Sequence, residues 1–212
     1  MGKISQGVLG GFSGKVGNVV GGTWKGIDYM RIKPSNVSNP RTAGQMDQRS
    51  KFALVLNFLQ PMKDFLRVGY KNYANKKTQF NAAMSYNLKN EVSGAYPNYA
   101  IDFSKALVTR GGLIGAADAK VDSTTPQTID FTWTDNTGSG AQSNDKALLL
   151  IYNQVKGFAV YDTAGADRDR GSQSLAVPAD FSGEDVEAFI GFISEDGKTL
   201  SDSVYAGSVT VA

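Results

Sequence analysis

QTIDFTWT, residues 127–134, sets Phe131 and Trp133 two apart among polar neighbours. That is the period-two signature of a strand with one side on a core. Alternating or apolar runs recur at about 118–123 (DAKVDS), 145–153 (DKALLLIYN), 157–162 (GFAVYD), 172–177 (SQSLAV), 186–194 (VEAFIGFIS) and 203–211 (SVYAGSVTV). About seven short strands with turn signals between them predict an antiparallel β-sandwich. Phe131 and Trp133, the facing Leu148 and Leu150, and Phe189, Gly191 and Ile193 are expected to alternate in and out and build its core.

The chain before this half reads differently. Up to about Arg110, Gly-rich strand-like pieces alternate with helical ones, and beyond Gly111-Gly112 the short runs begin. Two domains are expected, 1–110 and 111–212, joined near 108–118. The first should be α+β, a β-hairpin plus about three helices; the second all-β. In VGNVVGGTWKGIDYMRIKP the pieces 16–24 and 27–33 are β-prone, Lys25-Gly26 makes the reversal and Pro34 ends the second. Trp24, Ile27, Tyr29 and Met30 are expected to lie on a core, with Gly21-Gly22 as a bulge or close backbone approach.

Helix signals follow. Asn39-Pro40 makes a turn, Thr42 with Gln45 three residues on forms a capping-box signal, and Pro61 ends or restarts the helix. Phe52, Val55, Leu56 and Leu59 fall at i, i+3, i+4, i+7 and predict one buried stripe, which Gln45, Gln48 and Arg49 extend toward the N-terminus. Met62, Phe65, Leu66 and Gly69 continue the spacing in a short second helix. Thr78 caps a third, with Phe80, Ala83, Met84, Leu88 and Val92 inward. YKNYANKK (70–77) and AYPNYAIDF (95–103) suit exposed contact surface, whose aromatics and lysines could stack on single-stranded nucleic acid.

Composition removes several chemistries. The chain has no cysteine and no histidine, so disulfides, thiolate nucleophiles, the usual zinc sites and the usual triads are excluded. GFSGKVGN, residues 11–18, looks like a phosphate loop but has Leu9 and Val16 where a P-loop needs Gly and Ser or Thr, and a strand pattern follows it. In DNTGSGAQSND, 135–145, Asp135, Asn136 and Asp145 could touch calcium, but the loop lacks EF-hand positions and reads as a solvated hairpin. ADRDR, 166–170, reads as a salt-bridged loop. No catalytic residue, cofactor or metal is expected. The short apolar pair Val8-Leu9 is no signal peptide, so synthesis in a cytoplasm is expected, with the product in a virion or released assembly.

Charge is unevenly distributed. Residues 1–110 hold 16 Lys and Arg against 5 Asp and Glu, a net of +11, whereas residues 111–212 hold 6 against 15, a net of −9. Such a chain either meets a polyanion with its basic half or stacks basic end to acidic end.

SLAVPADFSGEDV, residues 174–186, resembles the link between the last two core strands of fibronectin type III modules, with Phe181 and Val186 near the place of their corner tyrosine. A wider resemblance covers nearly the whole chain. ISQGVLGGFSGKVGNVVGGTWKG (4–26), YMR (29–31), NPRTAGQMDQRSKFALVLNFLQP (39–61), FTWTDNTGSG (131–140), ADFSGEDV (179–186) and DGKTLSDSVYAGSV (196–209) closely resemble a family of unknown function found in Bacteroidota and in phage-related contexts. The NPRT part also resembles NPRTPAQ-like strings in virion proteins of tailed phages, with Ala43-Gly44 in place of proline-alanine. The resemblance implies a phage or prophage assembly and brings no catalytic residue or cofactor.

The expectation is a non-enzymatic structural subunit that self-associates or docks on other structural proteins through its N-terminal half and displays the sandwich. Phe12, Lys15, Trp24, Tyr29, Arg31, Arg41, Gln45 and Arg49 are its candidate interface residues. Two alternatives stand beside it: nucleic-acid binding by the basic half, and glycan or surface binding through Tyr152, Phe158 or Tyr161 on the sandwich.

Overall fold

The chain divides into two units, residues 1–45 and residues 46–212. The computed structural model describes residues 2–4, 10–36, 39, 41–138 and 140–212. Val8 and Leu9, the short apolar pair near the N-terminus, and Pro40, in the expected turn, lie outside the described residues.

The first unit holds strands β1 (Lys3–Ile4), β2 (Phe12–Val16), β3 (Val19–Trp24) and β4 (Ile27–Ile32), antiparallel and in that order. The expected hairpin is β3–β4. Its two-residue turn puts Lys25 at φ 47° and Gly26 at φ 80°, the left-handed pair that matches the twist of the flanking strands.

Helix α1 (Ala43–Leu59) begins at the end of the first unit, and the second is built from the rest of it, α2 (Lys63–Gly69) and α3 (Gln79–Asn90), a small hairpin of β5 (Val92–Ala95) and β6 (Asn98–Ile101), and seven further strands. These are β7 (Ala117–Asp122), β8 (Thr128–Thr134), β9 (Lys146–Asn153), β10 (Phe158–Asp162), β11 (Ser172–Ala176), β12 (Asp185–Ile193) and β13 (Val204–Thr210). A three-stranded sheet, β11-β8-β7, faces a four-stranded one, β10-β9-β12-β13. That is the sandwich architecture shared by immunoglobulin and fibronectin type III modules, and all seven strands fall within a residue or two of the expected runs. Phe181, in the link before β12, is buried as a core side chain.

The core has two layers, and this corrects the expected facing. Ile129, Phe131 and Trp133 meet Ala147, Leu149, Ile151, Ala188, Ile190 and Phe192 between the sheets. Leu148, Leu150, Tyr152 and Phe189 point the other way, onto Val55, Phe58, Leu59, Met62, Phe65 and Leu66 of the helical layer. The helices thus cover the outer face of the four-stranded sheet, and β9 is buried from Ala147 to Asn153 on both sides. A strand with apolar neighbours above and below needs no polar face, which is why ALLLIY is continuous. Phe58 sits at the middle of this layer, with ring centroids 5.1 Å from Tyr152, 5.7 Å from Phe103 and 6.3 Å from Phe189.

Two further expectations change. Of the expected stripe of α1, Val55 and Leu59 are buried and Leu56 packs half-buried on the same core, with Phe58 added to them, while Phe52 is 51% exposed and Gln45, Gln48 and Arg49 are exposed. The stripe is turned because the helix packs on a sheet whose apolar ridge, and not the helix pattern alone, chooses the contact face. The boundary near 108–118 is also no boundary. Val108 N–H donates to Ser203 Oγ (2.9 Å), Thr109 Oγ1 to the Ser201 carbonyl (3.0 Å) and Arg110 N–H to the Gly69 carbonyl (3.0 Å). A Cβ added at Gly69 would stand 2.5 Å from the Val108 carbonyl oxygen, and one at Gly111 would stand 1.9 Å from that of Leu200. The supposed linker is a seam laid between helices and sandwich, and only glycine fits at its tightest points. Thr78 does cap α3, accepting from Asn81 N–H at 3.1 Å.

Arg168 closes one end of the sandwich. Fully buried, it bonds Asp145 Oδ2 (3.1 Å), Asn136 Oδ1 (2.7 Å) and the Ile114 carbonyl (2.9 Å), and its guanidinium carbon lies 3.8 Å from the Phe192 ring centroid. Asn136 and Asp145, weighed above as calcium contacts in a solvated hairpin, hold a guanidinium instead, and Asp145 is buried. Lys146 pairs Asp167 at 2.5 Å, so ADRDR is the salt-bridged loop expected.

Candidate docking surface

The first unit buries almost nothing. Among its described residues only Gly21 is buried, and every residue of β4 is exposed. Met30 is 71%, Ile32 69%, Val16 57%, Trp24 52%, Ile27 48% and Tyr29 45% exposed. Trp24, Ile27, Tyr29 and Met30 were expected to lie on a core, and among the described residues of their own unit there is none. A sheet of this size gains stability only when an apolar face is covered, and contiguous exposed apolar surface marks an interaction site.

Register sorts the candidate residues by face. Opposed pairs are Gly14 with Gly21, Lys15 with Val20, Val20 with Arg31, Gly22 with Tyr29, and Trp24 with Ile27. Because opposed side chains share a face and successive ones alternate, Lys15, Val20, Trp24, Ile27, Tyr29 and Arg31 project from one side. Phe12, Val16, Val19, Thr23, Asp28, Met30 and Ile32 belong to the other. Four candidates, Lys15, Trp24, Tyr29 and Arg31, are therefore brought together, and Phe12 is set apart from them.

The glycines have a local reason. A Cβ at Gly21 would stand 2.7 Å from the Phe12 ring and 2.2 Å from the Phe12 carbonyl oxygen, and one at Gly22 would stand 3.0 Å from the Tyr29 hydroxyl. Phe12 lies across Gly21 on one face and Tyr29 across Gly22 on the other, which is the close approach that Gly21-Gly22 signalled. On the Phe12 side, Gly10, Gly11, Phe12, Asp28, Tyr29 and Met30 line a shallow concavity of about 320 Å³. The Thr23 hydroxyl donates to Asp28 Oδ1, which ties the end of the hairpin. Residues 1–45 carry six Lys and Arg against one Asp, a net of +5.

The remaining candidates lie off the sheet. Arg41 precedes α1, and Gln45 and Arg49 stand one turn apart on it, all three exposed. Gln45 N–H bonds the Thr42 hydroxyl at 3.4 Å, so its backbone serves the expected cap. Val16, Ile27, Met30 and Ile32 complete the surface and were not among the candidates. The signal was present: IDYMRI carries large apolar side chains on both parities, so no face of β4 is polar.

Other expected surfaces are corrected. Tyr152 is 5% exposed beneath the helices and Tyr161 packs its ring 5.6 Å from Phe65, leaving Phe158 alone of the three as an exposed aromatic. Tyr70 is buried, donating to the Leu107 carbonyl at 2.8 Å, and Tyr73 lies under Arg110, 4.4 Å from ring centroid to guanidinium carbon. Tyr99 bonds Asp47, which holds that carboxyl below its usual range with help from Lys51. Among the described residues no group of His, Cys, Asp and Glu is placed to hold a metal, and no helix is long and apolar enough to cross a membrane.

The model of a family of unknown function, DUF6266, matches residues 11–207. No curated protein matches the chain. Among solved structures, the chain is similar to the fn3 domain of the human collagen alpha-1(XX) chain, at 15% identity and a TM-score of 0.37, over 48% of this chain and 87% of that one. It is also similar to chicken CNTN1 FN1-FN3 domains, at 8% identity and a TM-score of 0.40, over 49% of this chain and 34% of that one.

Proposed function

The chain belongs to the family DUF6266, and from that premise we propose that it is a non-enzymatic structural subunit, of the kind a phage or prophage particle or filament assembles, that docks through its N-terminal sheet and displays its sandwich. One observation carries the reading: an antiparallel sheet with Trp24, Ile27, Tyr29, Met30 and Ile32 all about half or more exposed and, among the described residues of its unit, only Gly21 buried. The apolar side chains supply the holding energy, since burying one fully stabilises by about 1.5–3 kcal/mol. Light scattering on the full chain tests it. Multimers that dissociate in the Trp24→Ser, Tyr29→Ser double variant, with the circular dichroism of the helices and sandwich unchanged, are expected. A monomer at every concentration sinks the reading.

A second reading has its own observation. Lys15 and Arg31 share a face with Trp24 and Tyr29, and cations interleaved with aromatic rings suit stacked single-stranded bases. It requires retention of a single-stranded oligonucleotide that falls steeply as salt rises.

A further inference from the structure

We infer that the partner at the open edge of the N-terminal sheet is a second copy of this chain, joined through β4 to β4, antiparallel about a two-fold axis that passes at Met30. This rests on the docking reading above and names the occupant of that edge, leaving both faces of the joined sheet open.

The backbone argument comes first. In a hairpin closed by a two-residue turn the flanking pair, here Trp24 and Ile27, exchanges hydrogen bonds, and bonded and non-bonded pairs then alternate. Ile27, Tyr29 and Arg31 therefore turn their N–H and C=O groups toward β3. Lys33 N–H donates to the Asn18 carbonyl at 2.6 Å, which keeps the same parity one step further. Asp28, Met30 and Ile32 turn theirs outward, where β4 is, among the described residues, the last strand of the sheet. An edge of this kind is a template for another strand.

Symmetry and charge then choose the register. A two-fold axis perpendicular to the sheet keeps every residue on its own face, so a residue meets only residues of its own parity across the interface. An axis at Asp28 would oppose two carboxylates, and one at Arg31 two guanidinium groups, both unfavourable. An axis at Tyr29 pairs Asp28 with Met30 and leaves Ile32 opposite Gly26 of the turn. An axis at Met30 pairs Asp28 with Ile32 and Met30 with itself, so all three outward residues of each copy bond, two N–H···O bonds to a pair. It also sets Arg31 against Tyr29 on the face that carries Trp24, a cation over an aromatic ring. No like charges are opposed.

The chain has no cysteine, so Met30→Cys supplies a single thiol. Mild oxidation of the full-length variant is expected to give a disulfide-linked dimer. Asp28→Cys mixed with Ile32→Cys should give a mixed dimer, and Tyr29→Cys none, because its partner lies diagonally, beyond the roughly 7 Å Cα limit for a bridge. Met30→Pro removes an outward N–H and spares the ladder to β3, and is expected to raise the dimer dissociation constant about tenfold or more. With a net of +5 on each arm, association should tighten as salt screens the two arms from each other. Cross-linking at Tyr29→Cys without Met30→Cys overturns the register. Association that loosens with salt and survives Met30→Pro overturns the β4 pairing in favour of an acidic partner surface or a nucleic acid, while the docking reading stands if Trp24→Ser, Tyr29→Ser still abolishes it. A full-length monomer overturns both.

Discussion

Strands β9 and β4 are alike in sequence and opposite in fate. ALLLIY of β9 and IDYMRI of β4 each place large apolar side chains on both parities. One is covered from both sides within its unit, by the second sheet and by the helices. The other is exposed at every residue. An apolar pattern on both faces states that two covers are needed. It does not state whether the chain brings them or a partner does.

The contrast is broken most severely from the covered side. Phe58→Ala empties the middle of the helical layer, and buried Phe→Ala changes cost about 3–5 kcal/mol, so a loss of that size is expected in urea unfolding. Phe52→Ala, on the same helix but 51% exposed, should change stability by less than about 0.5 kcal/mol. Equal losses would mean that Phe52 is inward as well.

Burial has an ionisable consequence in the same unit. Glu91 is fully buried with neither carboxyl oxygen hydrogen-bonded, and desolvation raises its pKa from 4.5 to about 8. The folded state holds this proton where the unfolded chain has released it, so stability is full below the unfolded value and falls as pH rises toward the folded one. The loss across that window is expected to be roughly 3–5 kcal/mol, read as a falling urea midpoint. Glu91→Gln should flatten the fall, and an unchanged slope in that variant would refute the assignment.

The smallest effect sharpens the uncovered side. Trp24→Ala should leave the unfolding of residues 46–212 within about 0.5 kcal/mol of the parent, while weakening self-association. Denaturation followed by the circular dichroism of the helices checks the first part and light scattering the second. A large loss of stability in dilute monomer would mean that the chain covers Trp24 itself.

Much of this was legible beforehand. All seven sandwich strands, the Lys25-Gly26 hairpin, the Thr78 cap and the inward Met62, Phe65, Leu66 and Gly69 follow from local periodicity and turn chemistry, which act over a few residues. The candidates Trp24, Tyr29 and Arg31 share a face for the same reason, because the register of β3 and β4 follows from the turn, whereas Lys15 joins them through β2, a strand that was not expected. What was not legible depends on contacts far apart in sequence. Leu148 and Leu150 could face either layer by pattern alone. Phe58 and not Phe52 is inward because the outer face of β9 and β12 chose the contact. The seam at 108–111 looked like a linker because its hydrogen-bond partners, Ser201 and Ser203, lie more than ninety residues later.

By itself the sequence determined the elements, their turns, the absence of thiol and imidazole chemistry, and a basic arm, since each depends on neighbouring residues or on composition. Only the tertiary structure decided that the helices roof the sandwich, that Asn136 and Asp145 hold Arg168, and that every residue of β4 is left exposed. Burial is a property of what lies opposite a side chain, and what lies opposite is set by long-range packing that local pattern does not encode.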